Sequence, residues 1–236
     1  MDQSRHGTSL AGDTTCGLAV RKPASKQKAT ARGGTFFNGV EVYHESELEH
    51  RVSLTIQGRN DVRELHSQYP VFLYIGADGE VHRHINDFFV VLDDGRRIAV
   101  PVKYNRKKIS MDDLILRIRK AGFTAIDEGN ELTVGAVDDI IHISETGATL
   151  EDFENAQELL HFRGLHDEIE FQVLLDIVRK LPGNFRMGEL FRNCAHRGKR
   201  RTAIWRLIDR GYLVPVSRGR IDELAWLSFK NEDLTR

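Results

Sequence analysis

The stretch HRHINDFFVVLDDGRRIAVPVK, residues 82–103, decides how the chain is read. Two runs rich in β-branched and aromatic residues flank Asp93-Asp94-Gly95, which predicts a β-hairpin. The first run ends near Leu92 and the second at Lys103. Asp87 enters the first run, Lys103 closes the second, and Pro101 stands two residues before that lysine. A proline has no N–H to give a ladder, so Pro101 predicts an edge or a bulge that displaces Lys103.

Working outward, Leu48, Val52 and Ile56 recur every four residues behind Ser46, which predicts a capped helix with Glu45 and Glu49 on one face. Residues 62–74 read as extended, interrupted by Pro70, and 75–79 as a turn. Beyond Lys103, Ser110 predicts the cap of a helix over 111–121, with Arg117, Arg119 and Lys120 on its outer face. Residues 123–126 and 131–134 are short strands. The order helix, strand, hairpin, helix, strand is an α/β unit around a mixed sheet.

Residues 151–160, EDFENAQELL, form an acidic helical connector. A helix over 170–181 ends at Pro182-Gly183, a short one covers 187–194, and another covers 199–210. Strands at 213–216 and 223–227 are joined by Ser217-Arg218-Gly219-Arg220. Three helices followed by a two-stranded, basic-tipped wing is a winged helix-turn-helix pattern. Ile204, Leu207 and Ile208 face its core with Trp205 nearby. Lys199, Arg200, Arg201 and Arg206 remain for the DNA backbone or major groove, and Arg218 and Arg220 for the wing tip. A solvated charged face, or a winged helix that binds protein, is the competing reading of the same residues.

The net charge of −1 over 236 residues conceals segregation: +4 over 1–33, −13 over 34–178, +10 over 179–220 and −2 over the last sixteen. The basic block implies contact with phosphate. Residues 1–33 lack apolar periodicity and read as a disordered basic leader. No apolar run reaches the roughly 20 residues that cross a bilayer, so no membrane association is expected. No apolar signal segment is seen, and Cys16 and Cys194 build no disulfide framework or zinc motif. A reducing interior, the bacterial cytoplasm, is the expected location. The expected organisation is a leader at 1–33, an α/β domain at 34–148, a connector at 149–168, a winged helix at 169–229 and a tail at 230–236.

SELEH at 46–50, HINDFFV at 84–90, VPVK at 100–103 and Asn155-Ala156 ahead of the winged helix together resemble the TnsA-type transposon endonuclease family. The resemblance covers roughly residues 40–229. It implies an α/β fold with a restriction-endonuclease-like mixed sheet, flanking helices and a C-terminal winged helix-turn-helix. It also implies Glu49, Asp87 and Lys103 as catalytic residues, with Mg²⁺ (or Mn²⁺) on Glu49, Asp87 and the Val102 carbonyl. The metal would polarise the scissile phosphate and acidify the attacking water, while the lysine would stabilise developing charge. The sequence departs from the family twice. Asn86-Asp87 replaces Pro-Asp, and Pro101-Val102-Lys103 replaces Glu-x-Lys or Gln-x-Lys. Gln68, before Tyr69-Pro70, also matches a family feature, although a surface glutamine is the plainer reading.

The implied function is metal-dependent cleavage of double-stranded DNA at mobile-element ends during transposition, beside a transposase and an AAA+ ATPase. The alternatives are a catalytically inactive nuclease-fold DNA-binding or transposition-accessory protein, and a winged-helix transcription regulator.

Overall fold

The computed structural model describes residues 17–20, 32–127 and 129–230, and the hydrophobic periods of the sequence sort them into strands and helices of a mixed α/β protein. In chain order these are β1 (Gly33–Phe37), β2 (Val40–His44), α1 (Glu47–Gln57), β3 (Val62–Ser67), β4 (Val71–Ile75), β5 (Val81–Ile85), β6 (Phe88–Leu92) and β7 (Arg97–Val100). There follow α2 (Lys108–Lys120), β8 (Ala125–Ile126), β9 (Leu132–Thr133), β10 (Asp139–Ile140), α3 (Leu150–Arg163), α4 (Glu168–Val178), β11 (Asn184–Arg186), α5 (Arg197–Asp209), β12 (Leu213–Pro215) and β13 (Trp226–Phe229).

The chain divides into two compact units that interleave in sequence. One holds the described residues of Met1–Ser46 with Arg63–Pro101 and Asp113–Ile141. The other holds Glu47–Val62, Val102–Asp112 and the described residues of His142–Arg236. This differs from the contiguous 34–148 and 169–229 division, because α1 packs on α3 and belongs with the C-terminal elements. Most of the expected leader, and residues 231–236 of the expected tail, lie outside the described residues. Of the leader, Leu18 donates its N–H to His66 Nδ1 at 3.3 Å and Val20 to the Gln68 carbonyl at 3.4 Å. Residues 17–20 are therefore tied to β3 and its exit, not free.

In the first unit the hairpin forms as β6 against β7, with Phe88 opposite Val100 and Val91 opposite Arg97. Gly95, at φ 86°, closes the turn by donating to the Leu92 carbonyl at 2.9 Å. All five residues of β6 are buried, as expected for a strand covered on both faces. The chain crosses over through α2 and returns as β10, parallel to β7, giving the order β10-β7-β6-β3. Phe72, Phe89, Val91, Ala99, Ile115 and Ile118 are among the core residues of this unit.

Three expectations need correction. The run from His82 does not enter the hairpin, because residues 81–85 form β5, which pairs with β4 in a separate sheet. The second run ends at Val100, not Lys103. Helix α2 starts at Lys108, and Ser110 bonds the Lys107 carbonyl from inside it instead of capping it.

In the second unit α4, a 3-10 turn (Met187–Phe191) and α5 pack over a three-stranded sheet of order β11-β13-β12. Strand β11 is an addition to the two strands expected. Ile204, Trp205 and Leu207 are fully buried, and Phe162 stacks on Trp205 at 6.2 Å. Helix α3 opens with a reciprocal cap between Thr149 and Asp152 and ends in Arg163.

Arg163 decides how α1 is held. Its guanidinium donates to the carbonyls of Gln57 and Gly58 at 2.9 Å and to Asp209 Oδ1 at 2.7 Å. It thereby satisfies carbonyls that the end of α1 leaves without helical partners. A Cβ at Gly58 would meet Ala156 Cβ at 3.3 Å, a tight contact between α1's exit and α3. Arg163→Ala is expected to lower unfolding free energy by about 2–3 kcal/mol, the scale of lost charge-assisted hydrogen bonds. Arg163→Lys should recover less than half of that, since an ammonium lacks the planar fork. Urea midpoints check both.

Candidate nuclease residues and the basic C-terminal surface

Asp87 lies in the short link between β5 and β6, one residue ahead of the hairpin rather than inside its first strand. It is buried, at 9% exposure. Its backbone carbonyl accepts from the Gln68 N–H at 2.8 Å. Asn86, fully buried, donates its backbone N–H and its side-chain amide to the Pro70 carbonyl at 3.1 and 2.9 Å. The backbone bond is one that a proline at position 86 could not make.

Gln68 is not a surface residue: it is 2% exposed and sits at φ 55°, uncommon outside glycine. Gln68 and Asn86 thus fix the backbone around Asp87, a role that sequence reading missed. The adjoining Tyr-Pro was the only available signal.

In the other unit Glu49 is buried at 7%, whereas Glu47 on the same helix is exposed and pairs with Arg51. A solvated acidic face therefore does not describe Glu49. Val102 bridges Ile143 in parallel, Lys103 donates its N–H to the Ile143 carbonyl at 3.3 Å, and Lys103 presents an exposed side chain. His142 Nε2 donates to the Lys103 carbonyl at 2.8 Å. Pro101 follows the last residue of β7, between β6 and β10 in strand order, so the expected edge or bulge is absent from the described ladder. Among the described residues no group of three or more His, Cys, Asp or Glu side chains gathers where a metal ion could sit.

The six cations expected at DNA have different surroundings. Arg200 is 4% exposed; it pairs with Glu170 and donates to the Leu190 carbonyl at 2.6 Å. Arg206 is 8% exposed and donates to the Leu165 carbonyl at 2.9 Å and to His166 Nδ1 at 2.8 Å. Both are internal ties, which corrects the expectation that they face a groove. The helix turns these two positions toward α4 and the chain ahead of it, a distinction that a run of basic residues does not reveal.

The other four are exposed and paired: Lys199 with Asp167 at 3.0 Å, Arg201 with Glu158 at 3.0 Å, Arg220 with Glu154 at 3.1 Å, and Arg218 with Asp152. Burial raises the Asp152 carboxyl, but bonds from Arg218 and Thr149 outweigh it and leave the group below the usual carboxylate range. Asp167 is also held low, first by the Glu170 N–H and then by Lys199. Asn155 explains part of the Asn155-Ala156 pair. Its amide donates to the Gly219 carbonyl and accepts from the Ile221 N–H, both at 2.8 Å, tying the loop ahead of β13 to α3.

Compared with models of known protein families and with curated proteins, the chain matches none. Among the described residues no helix is long and apolar enough to cross a membrane.

Arg200→Gln is expected to cost about 2–3 kcal/mol, because Glu170 and a buried carbonyl lose a cationic partner. Arg201→Gln should stay within about 0.5 kcal/mol, as for exposed pairs generally. Chemical unfolding of the two variants checks the contrast.

Proposed function

We propose that the chain is a TnsA-like DNA-processing protein in which Asp87, Glu49 and Lys103 support metal-dependent cleavage of a phosphodiester. The observation that carries this reading is the burial of both assigned carboxylates, Asp87 at 9% and Glu49 at 7%. The hairpin followed by a helical crossover to a parallel strand also suits a restriction-endonuclease-like sheet.

The assigned donors are hard oxygens, the type that Mg²⁺ or Mn²⁺ takes: the carboxylates of Glu49 and Asp87 and the Val102 carbonyl. A bound ion would polarise a phosphoryl oxygen and lower the pKa of an attacking water. Gln68 and Asn86 hold the Asp87 backbone. The Lys103 ammonium supplies positive charge for the phosphorane-like transition state. The C-terminal helices and three-stranded sheet suit a winged helix engaging duplex DNA. A transposase and an AAA+ ATPase are the partners this reading carries with it.

Pro101 favours a second reading, because it contributes no side-chain oxygen where the family has Glu or Gln. In that reading the chain binds DNA on a nuclease scaffold without cutting it.

Nicking of supercoiled plasmid separates the two. Cleavage should require Mg²⁺ or Mn²⁺ and fall roughly 100-fold or more in Asp87→Ala and Lys103→Ala. Pro101→Gln should raise it. DNA binding without nicking, or nicking equal in wild type and both alanine variants, rejects the catalytic reading.

A further inference from the structure

The cations expected on α5 and in the 217–220 loop are internal or paired with acids of the same unit, which directs attention to the cations of that unit that are not paired. The sequence KYNRKK, residues 103–108, is the strongest remaining basic cluster in that unit. All six residues are exposed. No ion pair within the described residues engages Arg106, Lys107 or Lys108. Tyr104 is 46% exposed, and the Arg106 guanidinium lies 5.7 Å from its ring centroid.

The segment is held largely by backbone bonds, which leaves the exposed Arg106, Lys107 and Lys108 side chains available to a ligand. Lys103 N–H donates to the Ile143 carbonyl at 3.3 Å, Asn105 N–H to Glu145 Oε2 at 2.8 Å, and Lys107 N–H to the Tyr104 carbonyl at 2.8 Å. Ser110 Oγ adds a bond to the Lys107 carbonyl at 2.8 Å. Such anchoring lowers the entropy cost of presenting charge to a ligand. The first turn of α2 contains no acid. Cations stand at the positive end of its dipole, an unfavourable arrangement that an approaching polyanion relieves.

We propose that Arg106, Lys107 and Lys108, with Tyr104 alongside, contact the sugar-phosphate backbone of duplex DNA. This rests on the DNA-processing reading above and names a contact surface for it. Clustered Arg and Lys beside an aromatic ring is the composition of a nucleic-acid surface. The alternative polyanion, an anionic membrane, would need more apolar anchoring than Ile109 provides, the one aliphatic side chain of this stretch that is 87% exposed.

The test uses the full chain, a fluorescent 30-base-pair duplex and anisotropy over a range of salt. The triple variant Arg106→Gln, Lys107→Gln, Lys108→Gln should lose about tenfold or more in affinity. Its plot of log affinity against log salt should be shallower by about 3, near 0.9 per phosphate contact. Arg96→Gln, an exposed cation paired with Asp94 on the hairpin turn, should change neither. An equal unfolding midpoint shows that the triple variant is folded. Unchanged affinity and slope in the triple variant, with wild type binding duplex, overturns this proposal alone. Wild type binding no duplex overturns both it and the DNA-processing reading. Binding of phosphatidylserine vesicles but not DNA, abolished by the triple change, assigns the segment to membranes and overturns it as well.

Discussion

The second unit depends on one guanidinium. Arg163, the last residue of α3, bonds the final carbonyls of α1 and the Asp209 carboxylate at the end of α5. A helix end with unsatisfied carbonyls is costly to bury, and a planar cation with several donors satisfies them at once. That is why α1, separated in sequence from α3 by the whole of β3–β10, belongs to the same unit. Glu49, which the nuclease reading requires, is carried on this helix. Its place is thus fixed by a residue over a hundred positions away.

The hairpin shows how a departure from a sequence pattern can leave geometry intact. Pro101 would cost a ladder bond inside a strand, but β7 stops at Val100. The parallel bridge of Val102 to Ile143 follows immediately, with the Lys103 N–H also used. On the proposed nuclease reading, proline at this position withholds a side-chain oxygen while the strand is kept. At the other departure, Asn86 gains a backbone bond to Pro70 that proline could not offer.

Periodicity made the main helices legible: Leu48, Val52 and Ile56 predicted α1, and Ile204, Leu207 and Ile208 predicted the buried side of α5. The hairpin turn at Asp93-Asp94-Gly95 was equally plain. Three matters were not. The break at Asn86-Asp87 assigns residues 81–85 to another sheet, and strand partners are set by tertiary pairing that no local run encodes. Gln68 is buried and sits on a left-handed backbone, neither of which a glutamine announces. Among the C-terminal cations, Arg200 and Arg206 are indistinguishable by type from Arg201, yet position around the helix decides which are internal. The candidate residues Asp87, Glu49 and Lys103 came from the family resemblance; the structure adds the burial of the two acids and the exposure of the lysine.

The charges of the second unit follow the same logic. Its acidic helix α3 meets Arg201, Arg218 and Arg220, so that a formal excess of basic residues is largely spent inside the unit. Residues 103–108 keep theirs exposed. On the proposed function, the buried Asp87 and Glu49 carboxylates serve a divalent ion. Electron paramagnetic resonance of Mn²⁺ titrated into the purified chain tests it most directly. Saturable binding of at least one ion, lost in Asp87→Asn with the fold unchanged, is the expected result. Absence of binding, or binding identical in Asp87→Asn, would contradict it.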